Sequence, residues 1–230
     1  NFSKAEVNYT ITYKNIQDYF KDASQKITIL PGFIAKSQLG EQTTLGRGGS
    51  DFTAAMVAAA LKVEQLEIWT DVSGMFTTNP KMVKHAYPIE KISYQEAMEL
   101  SHFGAKVLYP PTVQPVLSLN IPIHIKNTLE PEAVGTIISN DETNNSSPVT
   151  GISNIGNIAL LTLQGSGMIG IPGFSKRLFE TLSQEKINVI LITQASSEHS
   201  ICLGIDDKDA ELAKTAIDAT FENEIALNKI

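Results

Sequence analysis

The sequence predicts an α/β protein in two parts: a larger part with a mostly parallel sheet between helices, then a smaller βαββαβ unit. Three observations carry this reading. Strand-like and helix-like stretches alternate up to residue 138, the order that produces a parallel sheet. The run SNDETNNSSP (139–148) is polar and ends in proline, which is linker composition. Beyond it, apolar alternation and helical periodicity succeed one another once through a compact βαββαβ order. The boundary falls near residue 145, giving parts 1–145 and 146–230.

The elements follow in order. KITILPGFIA (26–35) reads as a strand running into a loop. Residues 50–62 read as a helix, with Ser50 as N-cap, Asp51 in the positive first turn and an alanine-rich body. LEIWT (66–70) reads as a buried strand. SYQEAMELSHFG (93–104) reads as a helix whose Ser93 and Glu96 form a capping box and whose end is marked by Gly104. PTVQPVLSLN is a short helix and IPIHIKN a strand. After the linker come strand 158–163, helix 173–185, strands 188–194 and 199–205, helix 207–220 and a final strand near 225–227. This is the ferredoxin-like arrangement, which by itself says nothing of function.

Composition narrows the partners. The formal net charge is −7, whereas a protein that coats nucleic acid or anionic membrane is usually basic, so neither is an expected partner. No apolar run approaches the roughly 18 residues of a membrane helix. The single cysteine, Cys202, excludes an intrachain disulfide and fits a reducing, cytoplasmic setting. Its place in SICLGI reads as a buried structural thiol. His85, His102, His124 and His199 are scattered without metal-ligand spacing, so no protein-held metal is expected.

Four stretches carry candidate chemistry. GSGMIG (165–170) has the G-x-G-x-x-G spacing of a dinucleotide loop. A dinucleotide site also needs the helix to begin at the loop and an acid to end the second strand. Here IPG intervenes, and the strand NVILITQ ends in Gln194. The loop therefore reads as a turn, either bare or clasping a small ligand. In TTLGRGGSD (43–51), the amides of Gly48, Gly49 and Ser50 lead into a helix N-terminus, an anion nest on a positive dipole end. Arg47 adds a planar fork for carboxylate or phosphate, and Asp51 an acceptor for an ammonium group or a metal-bound water. The plainer alternative is a glycine turn before a capped helix. In WTDVSGMFTTNPK (69–81), Thr70 and Asp71 stand at the carboxyl end of a strand, where open parallel sheets bind ligands. Asp71 meets such a ligand or caps the turn, and Lys81 follows a turn that can return its ammonium to phosphates. In SHFGAKVLYPP (101–111), Lys106 pairs with phosphate or is a solvated charge near a helix end.

TTLGRGGSD, WTDVSGMFTTNP and FGAKVLYP, in this order, resemble the second half of the kinase domain of aspartate kinases, members of the amino-acid kinase fold. The tail SGMIGIPGFSKRLFETLSQEKINVILITQASSEHSI resembles the regulatory ACT domain that follows it, most closely in the bifunctional aspartokinase–homoserine dehydrogenases. The resemblance implies ATP-dependent phosphorylation of the L-aspartate side-chain carboxylate, with Mg²⁺ accompanying ATP. It implies that Arg47, Ser50 and Asp51 hold the aspartate. Gly48, Gly49, Thr70, Asp71, Phe76, Lys81 and Lys106 would then serve the nucleotide. Three positions depart from the family's usual residues: Phe76 for tyrosine, Lys81 for arginine and Tyr109 for histidine.

The resemblance also implies an amino-acid effector, threonine or lysine with threonine favoured, and pairing of two copies through ACT domains. Met168, Ile171, Gly173 and Phe174 would line one side of the effector pocket, and Asn188, Ile190 and Gln194 the other. Even spacing along a strand would put the last three on one face. The family's K-F-G-G-[ST]-S segment is not in this sequence, nor is a second ACT domain or a dehydrogenase domain. The chain therefore reads as a fragment, inactive alone. Two other readings compete: a non-catalytic amino-acid-sensing and dimerising module, and a different amino-acid kinase acting on glutamate or uridylate.

Overall fold

The computed structural model describes residues 5–103, 107–140, 148–194 and 199–230, and divides into two compact units, Asn1–Asn154 and Ile155–Ile230. The first unit opens with helix α1 (Tyr9–Lys21), which the sequence reading left unassigned. Asn8 caps it, its Oδ1 accepting from the Ile11 amide at 3.1 Å. The helix lies on α2 (Gly49–Leu61), to which Gln17 donates at the Ala60 carbonyl, 2.9 Å. The predicted strand 26–35 does not form. Residues 26–33 carry no strand, Ile27 and Ile29 are largely exposed, and only β1 (Ile34–Lys36) pairs, antiparallel, with β2 (Gln42–Thr44). A run of β-branched residues is not a strand without a partner and a face to bury.

Strand β3 (Leu66–Thr70) forms where predicted, but it is buried on one face only. Its partners are β4 (Lys91–Ser93), β5 (Ile123–Asn127) and β6 (Thr136–Ser139), in the order β3-β5-β6-β4. Pairs β3–β5 and β4–β6 are parallel, while β5–β6 is antiparallel, so the sheet is mixed. Helices α3 (Tyr94–Phe103) and α4 (Pro110–Leu117) join α2 over one face, burying Leu66, Ile68, Ile123, Ile125 and Ile138. Alanines of α2 (55, 58, 59 and 60) are buried there, and their small side chains let α2 and α4 approach closely. The other face carries Trp69, 45% exposed, with Lys126 Nζ 4.6 Å above its ring and 3.9 Å from Glu67.

The second unit opens with β7 (Ile158–Gln164), followed by a 3-10 turn at 166–168 and α5 (Phe174–Gln184). Strands β8 (Val189–Gln194) and β9 (Ser200–Asp206) follow, then α6 (Ala210–Thr220). The sheet order is β7-β9-β8, all antiparallel. Ile201, Leu203 and Ile205 of β9 join Leu178, Leu182, Ile217 and Phe221 in one core. Alternation puts Cys202 on the other face, where it is half-buried rather than buried.

The final strand near 225–227 is corrected by the structure: Glu222–Ala226 is a short helix, α7. Arg177 of α5 explains its position. The guanidinium meets both Glu224 oxygens and the Thr220 carbonyl, and lies 4.4 Å above the Phe221 ring. That fork fixes residues 220–224 against α5 in a helical turn.

No helix of the described residues is long and apolar enough to cross a membrane.

Candidate active site

Two clusters in the first unit hold the predicted site residues. One lies at the start of α2. Gly48, at φ +68°, is its N-cap, which corrects the assignment of Ser50: Ser50 sits two residues further in, at the second helical position, and is exposed. A left-handed residue must open this helix so that the chain can double back, and glycine does so at little cost. Gly49 is buried because a Cβ there would stand 2.8 Å from the Phe33 ring and 3.0 Å from Leu45 Cβ. The Gly49 amide is spent on the Gly46 carbonyl at 3.1 Å. That leaves the Gly48 and Ser50 amides of the predicted nest without a hydrogen bond among the described residues, on the positive end of a 13-residue helix. Segment 31–33 braces the turn: the Phe33 amide donates to Gly49 O and to Thr53 Oγ1. The sequence reading missed this brace, whose signal was the dipeptide Pro31-Gly32.

The charges at this cluster stand ready for a ligand. Arg47 is exposed, with its guanidinium carbon 5.9 Å from the Tyr109 ring centroid, and no ion pair to it occurs among the described residues. Burial pushes the Asp51 carboxyl above its ordinary value. A cation or a fork-accepting carboxylate arriving here would meet complementary charge on both sides.

The second cluster surrounds a cavity of about 450 Å³ at the carboxyl end of β3. Thr70, Asp71, Phe76 and Lys81 all line it, together with Val72, Gly74 and Asn79. The loop between Asp71 and Phe76 is held from behind. Ser73 Oγ donates to Glu130 at 2.7 Å and accepts from buried Asn127 at 2.8 Å. Thr136 Oγ1 accepts from the Met75 amide at 2.7 Å and donates to the Ile89 carbonyl at 2.6 Å. Phe76 and Pro88 form an isolated bridge, with Ile89 N donating to Met75 O and Thr77 N to Tyr87 O on either side. Thr70 Oγ1 donates to Asp71 Oδ1 at 3.2 Å. Leu100, Val107 and residues 152–154 complete the walls, none of which the sequence reading had placed in a site.

The first cluster does not line this cavity. Lys106 lies outside the described residues. Among the described residues no group of three acidic, histidine or cysteine side chains could hold a metal.

In the second unit the glycine-rich loop has a different use. A Cβ on Gly165 would collide with the Lys229 carbonyl, and one on Gly167 would stand 2.6 Å from Lys229 Cβ. The Gly167 amide donates to that carbonyl at 2.9 Å. Two of the three glycines therefore admit the backbone of residues 229 and 230 rather than a pyrophosphate. Met168 is buried, and Phe174 is buried and stacked on Phe221 with centroids 5.7 Å apart. Ile171 is exposed, and Gly173 caps α5 at φ +103°. On β8 the even-spacing argument fails. A bulge between Val189 and Leu191 shifts the register, so that Val189 pairs with Ile205 but Gln194 with Ile201. Asn188, next to Val189, takes the opposite face from Gln194. A cavity of about 300 Å³ beside β7 and α6 includes none of the predicted effector residues.

These arrangements match known proteins. Residues 2–127 match the amino acid kinase family and residues 161–221 an ACT domain. The chain belongs to the amino acid kinase family, and its relatives are aspartokinases. It is 46% identical over 203 residues to the bifunctional aspartokinase/homoserine dehydrogenase of Haemophilus influenzae, covering 88% of this chain and 25% of that protein. The chloroplastic bifunctional enzyme 1 of Arabidopsis thaliana is 38% identical, over 97% of this chain and 25% of its own length. The chain thus spans about a quarter of these curated relatives. Among solved structures, E. coli aspartokinase III in complex with lysine and aspartate superimposes with TM-score 0.69 at 35% identity, over 90% of this chain and 46% of that one. The same enzyme with aspartate and ADP gives 0.59 at 26%, over 96% and 66%.

Proposed function

We propose that this chain is the nucleotide- and substrate-binding half of an aspartate kinase domain joined to a regulatory ACT domain, and that its parent transfers the γ-phosphoryl group of ATP to the side-chain carboxylate of L-aspartate. The observation that carries the reading is the convergence of Thr70, Asp71, Phe76 and Lys81 on one cavity with apolar walls, beside a strand's carboxyl end. In the reaction a carboxylate oxygen attacks the γ-phosphorus. The bond to the β–γ bridging oxygen breaks, and its electron pair leaves with ADP. The attacking carboxylate is already ionised at neutral pH, so no base is required. Placement and charge neutralisation remain as the work of the protein.

Arg47 takes the α-carboxylate of aspartate and Asp51 its ammonium group, with Ser50 beside them. The free amides at the start of α2 face phosphate oxygens. Phe76 packs on the base, while Lys81 and Lys106 supply point charges to the phosphates. Asp71 fits one ligand position of a Mg²⁺ that arrives with the nucleotide, in keeping with an ion that usually retains waters and phosphate ligands. When bound, that ion neutralises phosphate charge.

In the second unit, Met168, Ile171, Gly173 and Phe174 on the loop side and Asn188 and Ile190 on the strand side form the effector site, while Gln194 lies on the opposite face of β8 from Asn188. Threonine is the favoured effector on the resemblance to bifunctional enzymes. The lysine-sensitive aspartokinase 3 of E. coli, 40% identical over 183 residues, keeps lysine as the alternative to be measured against it. The ACT domains pair two copies of the protein, in a cytoplasmic setting.

Calorimetric titration of Mg-ADP into the chain tests the nucleotide site. Binding is expected, with Lys81→Ala weakening it by about tenfold, the worth of one charge-assisted contact. Absence of binding, or affinity untouched by both Lys81→Ala and Asp71→Asn, would remove this assignment.

A further inference from the structure

One wall of the nucleotide cavity comes from an unexpected place. Residues 150–154 follow the polar linker and precede the second unit, which begins at Ile155. Nothing in their composition marks them as part of a phosphate-transfer site. Yet Ile152, Ser153 and Asn154 line the same cavity as Thr70, Asp71, Phe76 and Lys81.

The segment is tied down at two points in the first unit. The Ile152 amide donates to the Thr77 carbonyl at 2.7 Å, next to Phe76 and in the same cavity-lining loop. Thr150 Oγ1 donates to Glu96, whose carboxylate also accepts from the Ser93 amide at 3.0 Å and the Ser93 hydroxyl at 2.7 Å. Between the two ties, Gly151 passes so near α3 that a Cβ would stand 3.0 Å from Leu100 and 3.1 Å from the Thr77 carbonyl. Leu100 is itself a wall of the cavity. The segment is therefore a strap drawn across α3 and clipped to the loop that carries Phe76.

Its central side chain is out of keeping with a plain surface strap. Ile152 is 67% exposed although its backbone is fixed and it stands beside Leu100 and Val107 at a concave surface. A fixed, exposed β-branched side chain at the mouth of a cavity is a ready apolar surface for a flat, weakly polar group. The polar neighbours Ser153 and Asn154 border it.

We infer that residues 150–154 form a wall of the nucleotide site, in which Ile152 closes over the purine of the bound nucleotide and the ties to Glu96 and Thr77 hold it in place. The inference rests on the reading of this cavity as the nucleotide site and adds a base-binding contact to it. The strap contributes base contacts rather than phosphate contacts, so it affects affinity for any nucleotide through its ring and not through its charge.

Hydrogen exchange of the chain with and without saturating Mg-ADP separates the two ideas. Slowed exchange in peptides covering both 70–81 and 150–154 is the expected result. Ile152→Ser is expected to raise the ADP dissociation constant about tenfold, and Ile152→Leu to leave it within about twofold. Because the side chain is exposed, both variants should melt at the wild-type temperature, which separates a lost contact from a lost fold. Protection at 70–81 alone, with Ile152→Ser binding as the wild type does, overturns the strap and leaves the nucleotide site standing. Protection at neither segment removes both.

Discussion

Gly74 is the tightest point of the loop that carries Phe76. Its φ of +105° lies where a side chain is strained, and a Cβ would strike Thr136 Oγ1 and stand 2.9 Å from the Thr136 amide. Thr136 Oγ1 cannot retreat, because it holds the Met75 amide and the Ile89 carbonyl. Gly170 has a comparable φ of +69° but open space where its Cβ would be. Gly170→Ala therefore carries only the backbone cost of about 1 kcal/mol, whereas Gly74→Ala adds displacement of a buried hydroxyl and costs about 3 kcal/mol. Gly74 lies in the larger unit, where each kcal/mol is worth about 2–4 °C, so Gly74→Ala should lower that unit's transition by about 6–12 °C. A fall of only about 2–4 °C, the backbone cost alone, would mean that Thr136 yields freely. The sequence offered Ser73-Gly74 as a loop, which is right. The reason for the glycine lies 62 residues away, at Thr136, and no local pattern reports it.

At the scale of elements, α3 shows what short-range chemistry makes legible. Its capping box was read from Ser93 and Glu96, and both halves form: the Glu96 amide donates to Ser93 Oγ at 3.2 Å while the carboxylate accepts from the Ser93 amide. What the spacing did not disclose is the third partner, Thr150, whose hydroxyl is the largest cause holding the Glu96 carboxyl below its ordinary value, ahead of Ser93. A carboxyl with a lowered folded pKa stabilises the fold fully above its unfolded value, near 4.3, and loses that contribution as pH falls through the folded value. The difference in melting temperature between wild type and Glu96→Gln should thus be greatest near neutral pH and shrink steadily below about pH 4.3. A difference that stays constant down to pH 3 would exclude the charged carboxylate as the source. Legibility failed where a partner, rather than a period, decides. The run 26–35 finds no neighbour over most of its length, and the stretch near 225–227 is drawn into a helical turn by Arg177. On β8 one inserted residue reverses the phase of everything beyond it. Of the candidate site, the strand-end residues were legible because strand ends are where ligands bind. The walls from α3 and residues 152–154 were not, since they come from segments with no motif of their own.

At the scale of the whole molecule, each unit encloses its own apolar core, one around Ile92, Ile123, Ile125 and Ile138 and the other around Leu178, Leu203, Ile205 and Phe221. Separate cores can be stabilised by separate ligands, because a ligand adds stability only to the state that holds its site. With Mg-ADP at 100 times its dissociation constant, the unit containing the Thr70 cavity gains about 2.7 kcal/mol. Threonine at the same multiple adds as much to the ACT unit. The smaller unit has the smaller unfolding entropy, so the same free energy moves its transition further: about 4–8 °C per kcal/mol against about 2–4 °C for the larger. Calorimetry should therefore show two transitions, one raised by Mg-ADP by about 5–11 °C, the other raised by threonine by about 11–22 °C. Lysine in place of threonine decides the effector by the same shift. Two transitions that both move with Mg-ADP alone would place the nucleotide contacts in both units and contradict the assignment of that site to the first.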